Sequence, residues 1–194
     1  MVRNMLAIAS VLAASSALAQ DLAIKPKLIH SQLTIDAKST VDEGVEEDYD
    51  GSKRWVPGKG VGVDFEYALN ERARVGLGLS YTGFERSDVS GYDTAFGGYG
   101  TFDILKTEGC SLYGKGGLSV HQFGVESYKS ATLVNADVGA GAAVTVAENV
   151  AVGAEYQYST TLVKDEFEAK DWDYRVKGLS QTRDDYSLFV AVKF

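Results

Sequence analysis

The stretch Val61-Gly62-Val63-Asp64-Phe65-Glu66-Tyr67-Ala68-Leu69 alternates without a break. Val61, Val63, Phe65, Tyr67 and Leu69 fall on one parity, and Gly62, Asp64, Glu66 and Ala68 on the other. A β-strand sends successive side chains to opposite faces, so this segment is a strand with one apolar face and one face bearing two carboxylates. The same period recurs downstream. Val75, Leu77, Leu79 and Tyr81 alternate with Gly76, Gly78, Ser80 and Thr82. Val138, Ala140, Ala142, Val144 and Val146 alternate with Asp137, Gly139, Gly141 and Thr145. Val152, Ala154, Tyr156 and Tyr158 stand against Gly153, Glu155, Gln157 and Ser159, and Tyr186, Leu188, Val190, Val192 and Phe194 against Ser187, Ala191 and Lys193.

Two further segments are less regular. In 94–105, Phe96, Phe102 and Ile104 oppose Tyr99, Thr101 and Asp103; in 111–123, Leu112, Leu118 and Val120 oppose Tyr113, Lys115, Ser119 and His121. An eighth strand, first in order, covers Lys27 to Asp36, with Ile29, Leu33 and Ile35 facing one way and His30, Gln32, Thr34 and Asp36 the other. Pro26 sits at its start, where a missing N–H does least harm.

Each segment runs for roughly 9 to 12 residues, the length of a tilted strand that crosses hydrocarbon. The connections alternate in length. Long or medium stretches occupy Ala37 to Gly60, Glu85 to Asp93, Gly124 to Asn135 and Thr160 to about Asp184. Tight turns occupy Asn70 to Ala73, Thr107 to Cys110, and Glu148-Asn149. A membrane barrel sorts its loops this way, with short turns on the periplasmic side and long loops outside. The fold expected is therefore all-β: an eight-stranded, antiparallel, up-and-down transmembrane β-barrel with both ends in the periplasm.

Alternation alone does not say which face is outside. Three features put the apolar face toward lipid. Glycine crowds the polar face (Gly62, Gly76, Gly78, Gly139, Gly141, Gly153), as suits a narrow interior filled by a few long side chains. Tyr67, Tyr81, Tyr156, Tyr158, Tyr186 and Phe194 lie near segment ends on the apolar face, where interfacial girdles form. Closure leaves no unpaired strand edge in hydrocarbon.

The N-terminus reads separately. Arg3, an apolar run from Met5 to Ala14, and the small-residue ending Ala17-Leu18-Ala19 form a secretory signal, so residues 1–19 are expected to be cleaved and 20–194 to form the barrel. No Cys follows the cut, which argues against a lipoprotein anchor. Removal of Arg3 takes the formal charge from −8 to −9, which argues against nucleic-acid binding. One Cys and two His in 194 residues supply neither an internal disulfide nor a zinc site, and no cofactor or metal is expected.

With its signal sequence, its eight-strand loop pattern and the ending Tyr186-Ser187-Leu188-Phe189-Val190-Ala191-Val192-Lys193-Phe194, the chain resembles the small outer-membrane β-barrel family of Gram-negative bacteria. That group includes the OmpA transmembrane barrel, OmpX and the attachment-invasion proteins, and carries the outer membrane protein beta-barrel domain. The resemblance implies an outer-membrane location and contact with outer-membrane lipids and lipopolysaccharide. It implies that Tyr186, Leu188, Val190, Val192 and Phe194 serve as the signal read by the barrel-assembly machinery. It further implies a non-enzymatic protein whose surface loops meet a host or cell-surface ligand in adhesion or colonisation, or support envelope integrity. Since the chain stops at Phe194, the peptidoglycan-binding domain of full-length OmpA is not expected.

The candidate sites are three. Asp64, Glu66, Lys115, Asp137 and Glu155 are expected inside the lumen, with Arg74 near the periplasmic rim. Buried charges must pair or stay hydrated, so these form either a salt-bridged plug or the lining of a narrow cation-preferring path. Ser119 and His121 share the inward face, with Asp137 at the start of the next strand; such a set is the raw material of a lipid-deacylating triad, a less favoured reading. His30 is expected as a lumenal polar group. In the outer loops, Trp55 and Trp172 stand among charges and are candidate binding anchors. The acidic run from Asp42 to Asp50 has no calcium-loop spacing. Cys110 falls in a periplasmic turn as a free thiol.

Overall fold

A computed structural model describes residues 22–37, 39–42, 45–48, 54–86, 89–125, 128–168 and 174–194. The strands are β1 (Leu22–Asp36), β2 (Ser39–Asp42), β3 (Val45–Asp48), β4 (Arg54–Ala68), β5 (Ala73–Arg86), β6 (Val89–Lys106), β7 (Cys110–Val125), β8 (Ala131–Ala147), β9 (Val150–Val163), β10 (Asp165–Glu168) and β11 (Tyr174–Lys193). The eight long strands pair antiparallel in the order β1-β4-β5-β6-β7-β8-β9-β11, and β11 returns to β1. The short strands extend the sheet at one end: β2 and β10 both pair with β11, and β3 pairs with β2. Gly178, at φ 66°, lies at the irregularity where β10 meets β11.

The register fixes the barrel's shape. Partners run from Ile24 through Phe65, Leu77, Gly98, Leu118, Ala136, Thr160 and Thr182 back to β1 at Thr34, ten residues from the start. With eight strands, that offset tilts each strand by about 40° and sets a radius of about 8 Å. A cylinder so narrow has room for side chains and little else.

The faces divide by polarity. Leu28, Val61, Leu77, Leu79, Phe96, Leu118, Val138 and Leu188 are exposed on the outside of the wall. Asp64, Glu66, Lys115, Glu155 and Arg183 are buried within. The tight turns close the opposite end from β2, β3 and β10. Asn70 Oδ1 accepts the N–H groups of Arg72 (2.9 Å) and Ala73 (2.8 Å), and Thr107 Oγ1 accepts that of Cys110 (3.1 Å). Both residues satisfy turn amides that the ladder leaves unpaired.

Three expectations need correction. The connections Glu85 to Asp93, Gly124 to Asn135, Thr160 to Asp184 and Ala37 to Gly60 are largely strand: β5 runs to Arg86 and β6 begins at Val89. Beyond the apolar band the wall no longer needs apolar outward residues, so the pattern that marks a strand in hydrocarbon disappears while the ladder continues. The first strand begins at Leu22, so Pro26 lies inside it. The β1–β11 ladder breaks at Lys25 and Pro26 and resumes in the same register at Lys27; a residue without an N–H is tolerated where a ladder is interrupted. His30 points outward and is exposed, while Ile29, Ser31 and Leu33 point in. The expected signal segment, residues 1–19, lies outside the described residues.

Lumenal glycines make room for large neighbours. A Cβ on Gly76 would stand 2.5 Å from the Tyr99 ring, and one on Gly141 would meet the Tyr113 ring. Gly76→Val is expected to lower stability by about 1–3 kcal/mol through this overpacking, read as a lower midpoint of urea unfolding from lipid vesicles. Gly83, whose Cβ would meet nothing within 4 Å, should accept Ala with little change.

Candidate functional site

The lumen is filled in layers. At the turn end lies an aromatic floor of Tyr113 and Phe189 with Ala151 and Ala191. Lys25 sits over the Phe189 ring, 4.6 Å from its centroid. Above it, four cations meet four carboxylates. Lys27 Nζ contacts Asp64 Oδ2 (2.5 Å) and Glu155 Oε1 (2.8 Å), and Lys115 Nζ contacts the same two atoms at 3.2 and 2.9 Å. Lys25 Nζ pairs with Glu66 Oε1 at 2.8 Å. Arg74 grips Asp103 through Nη2 (2.6 Å) and Nη1 (3.1 Å), and reaches Glu66 Oε2 at 3.4 Å.

The phenols fill the remaining valences: Tyr99 donates to Glu66 and Tyr113 to Glu155. Lys115 lies over the Tyr99 ring, 3.8 Å from its centroid. Removal of charges from water is costly unless each is paired and hydrogen-bonded, and here both conditions hold with charges balanced.

A second polar layer lies farther out. Arg183 binds Asp185 of its own strand through Nε (2.7 Å) and crosses the lumen to Asp93 of β6 through Nη1. Asp93 Oδ2 also contacts His121 Nδ1 at 2.7 Å, and His121 Nε2 lies 2.9 Å from Ser119 Oγ. The carboxylate beside His121 is therefore Asp93 of β6. Asp137, expected there, instead accepts a hydrogen bond from Ser159 Oγ. β7 has two neighbours, and the one that precedes it, β6, supplies the carboxylate. Between the two polar layers is a cavity of about 70 Å³, lined by Lys27, Asp64, Lys115, His121, Arg183 and Asp185. It has room for a few waters.

The outermost layer is apolar. Leu33, Phe84, Phe123, Ala131, Leu133 and Leu179 pack inside the barrel, each at most 3% exposed. The Phe84 and Phe123 rings meet edge-on at 6.2 Å. Ile35, Val56, Val125, Tyr128 and Val176 surround them. Sequence reading missed this plug, although its signal was present. Phe84 and Phe123 continue the inward parity of Thr82 and His121, Phe123 as the last residue of the segment read as 111–123 and Phe84 two residues past the segment that ends at Thr82.

Of the expected lumenal residues, Asp64, Glu66, Lys115 and Glu155 share one network, and Asp137 lies above it. Lys25, Lys27, Asp93, Asp103, Arg183 and Asp185 join them without having been singled out. The Trp55 backbone pairs with Thr34 near the outer end of β4, but its side chain lies outside the described residues, as does Trp172 entirely. Tyr186, Leu188, Val190 and Phe194 face outward, as their alternation requires. Cys110 opens β7 with an exposed thiol.

The model of the outer membrane protein beta-barrel domain matches residues 5–182. The chain belongs to that family. Solved structures of similar shape are those of the Neisserial surface protein A (NspA; TM-score 0.62, 17% identity, covering 89% of this chain and 97% of that one) and OprG of Pseudomonas aeruginosa (0.67, 12%, 91% and 96%). Another is the attachment invasion locus protein Ail of Yersinia pestis, solved with the heparin analogue sucrose octasulfate (0.50, 18%, 90% and 99%). A search of curated proteins finds no match. As an outer-membrane barrel, the protein turns its apolar belt to lipid and its short turns to the periplasm, and the β2–β3 hairpin and β10 lie on the outer side.

The ionic layer makes a direct prediction. Lys27→Met leaves Asp64 and Glu155 to share Lys115, and should cost about 3–5 kcal/mol, the usual penalty for stranding a buried charge. Unfolding in urea, followed by Trp fluorescence and gel mobility, measures it. Lys59→Met, on the outer surface, is the control and should leave the midpoint in place.

Proposed function

We propose that this barrel is a non-conducting, non-enzymatic anchor in the outer membrane that presents its outer rim to partners outside the cell, in adhesion or colonisation or in support of the envelope. The observation that carries this reading is the layered filling of the lumen. An ion entering from outside meets the apolar plug of Leu33, Phe84, Phe123, Leu133 and Leu179 first. Hydrophobic constrictions exclude hydrated ions. Behind the plug, the charges are engaged with one another at 2.5–3.4 Å. The Asp93–His121–Ser119 relay lies beneath the same plug and inside the wall, apart from the acyl chains of the surrounding lipid. We assign it to packing.

The rim has its own character. The β2–β3 hairpin carries Asp42, Glu46, Glu47 and Asp48, and β10 carries Asp165, Glu166 and Glu168. Ail was solved with a polyanion; this carboxylate-rich rim suits a cationic partner, with Trp55 and Trp172 as candidate anchors. The alternative, a narrow ion path, draws on the polar cavity between the two charged layers and requires the plug to part.

Refolded protein in a planar bilayer is expected to show no discrete conductance steps; cation-selective steps would sink the anchor reading. Bacteria displaying the barrel should attach to cultured epithelial cells more than cells without it. Shortening residues 39–53 should remove the gain, and Glu66→Gln should leave it intact wherever the gel shift shows folded barrel.

A further inference from the structure

The two polar layers of the lumen differ in charge. In the lower one, Lys25, Lys27, Arg74 and Lys115 match Asp64, Glu66, Asp103 and Glu155. In the upper one, Arg183 faces three buried carboxylates, Asp93, Asp137 and Asp185. A proton on His121 would add one positive charge and still leave three carboxylates against two cations. The excess of negative charge therefore does not depend on the state of the imidazole. Buried carboxylates need a compensating charge, because water is not there to solvate them.

The excess falls on Asp137. Among the described residues it has no ion pair: Ser159 Oγ donates to its Oδ1 at 2.5 Å, and its Oδ2 has no hydrogen bond. Yet Asp137 is only 6% exposed, and it lines the cavity of about 70 Å³ between the two layers. Ser80, Ser119, Gln157 and Ser187 add hydroxyl and amide oxygens to the same lining. The cations that also reach the cavity are already engaged. Lys27 and Lys115 hold Asp64 and Glu155 below it, and Arg183 holds Asp185 and Asp93 above it.

We infer that this cavity is a binding site for one monovalent cation of the Na⁺ or K⁺ class, with the Asp137 carboxylate as its charged ligand. Hard cations take oxygen donors, and the hydroxyl and amide oxygens of the lining, with water, complete the shell. The cavity has room for an ion and a few waters. A single uncommitted carboxylate suits a single positive charge. Among the described residues, no three His, Cys, Asp or Glu side chains gather to hold a divalent metal. The ion is an internal counterion: it sits beneath the apolar plug, links β8 to the strands around the cavity, and is independent of the rim's partner.

The test follows urea unfolding of the whole barrel in phosphatidylcholine vesicles. K⁺ or Na⁺ is exchanged for N-methylglucammonium, a cation too large for the cavity, at constant pH and ionic strength. An ion held only by the folded state lowers the unfolding constant in proportion to its concentration once the site is filled. A tenfold rise in K⁺ or Na⁺ is therefore expected to lower that constant by up to about tenfold, and Asp137→Asn should abolish the dependence. Should that variant fail to fold, rubidium anomalous scattering from crystals of the unaltered barrel decides, by a peak beside Asp137 or none. Unfolding indifferent to both ions, or a dependence that persists in Asp137→Asn, would overturn the site. Stability that responds to pH but not to K⁺ or Na⁺ would assign the missing charge to a proton on Asp137 and overturn it equally.

Discussion

Everything in this molecule follows from the rule that no backbone amide can go unpaired in hydrocarbon. Closure of β11 on β1 satisfies it, and closure of eight strands with an offset of ten residues leaves an interior about 8 Å in radius. Alternation then forces half of all side chains into that interior. Apolar groups are committed to the outside by lipid, so the inside becomes the place for charge. The ion-paired core is therefore a consequence of the wall rather than a separate design, and the glycines at 76 and 141 are where the wall yields space to Tyr99 and Tyr113.

The balance of that core is specific. Lys27 and Lys115 share Asp64 and Glu155, so either lysine alone leaves a carboxylate under-compensated. Arg183 does the same work farther out, joining β11 to β6 through Asp93. These links cross the lumen and resist ovalisation of a cylinder whose backbone bonds run only around it. The Ser119–His121–Asp93 relay fits the same account: it has the atoms of a nucleophilic site but sits within a closed, plugged interior.

How far the sequence revealed this depended on where lipid imposed its pattern. In Val61–Leu69 and Val75–Thr82, outward residues are apolar and inward ones small or charged, and both the strands and the inward direction of Asp64 and Glu66 could be read directly. On β1 the pattern failed. Lys25 and Lys27 precede or open the stretch that was read, and Ile29 and Leu33 point inward, which reversed the placement of His30. Beyond Tyr81 and Val120 the outside becomes polar and the inside apolar, so Phe84, just past one readable segment, and Phe123, the last residue of another, did not stand out as core. Which carboxylate meets His121 is a matter of lateral neighbours, and single-strand periodicity carries no such information.

That reversal means one continuous sheet is dissolved in two solvents. Along β11, Leu188 is 65% exposed and belongs to the lipid, while Leu179 is 1% exposed and belongs to a water-facing barrel's own core. A serine at 188 would be penalised for facing hydrocarbon, whereas one at 179 would be penalised for leaving a hole among neighbours. A detergent belt needs to cover only the lower storey. The upper storey carries its own apolar core, as a soluble barrel does, and forms a rigid turret on which the outer hairpins are mounted.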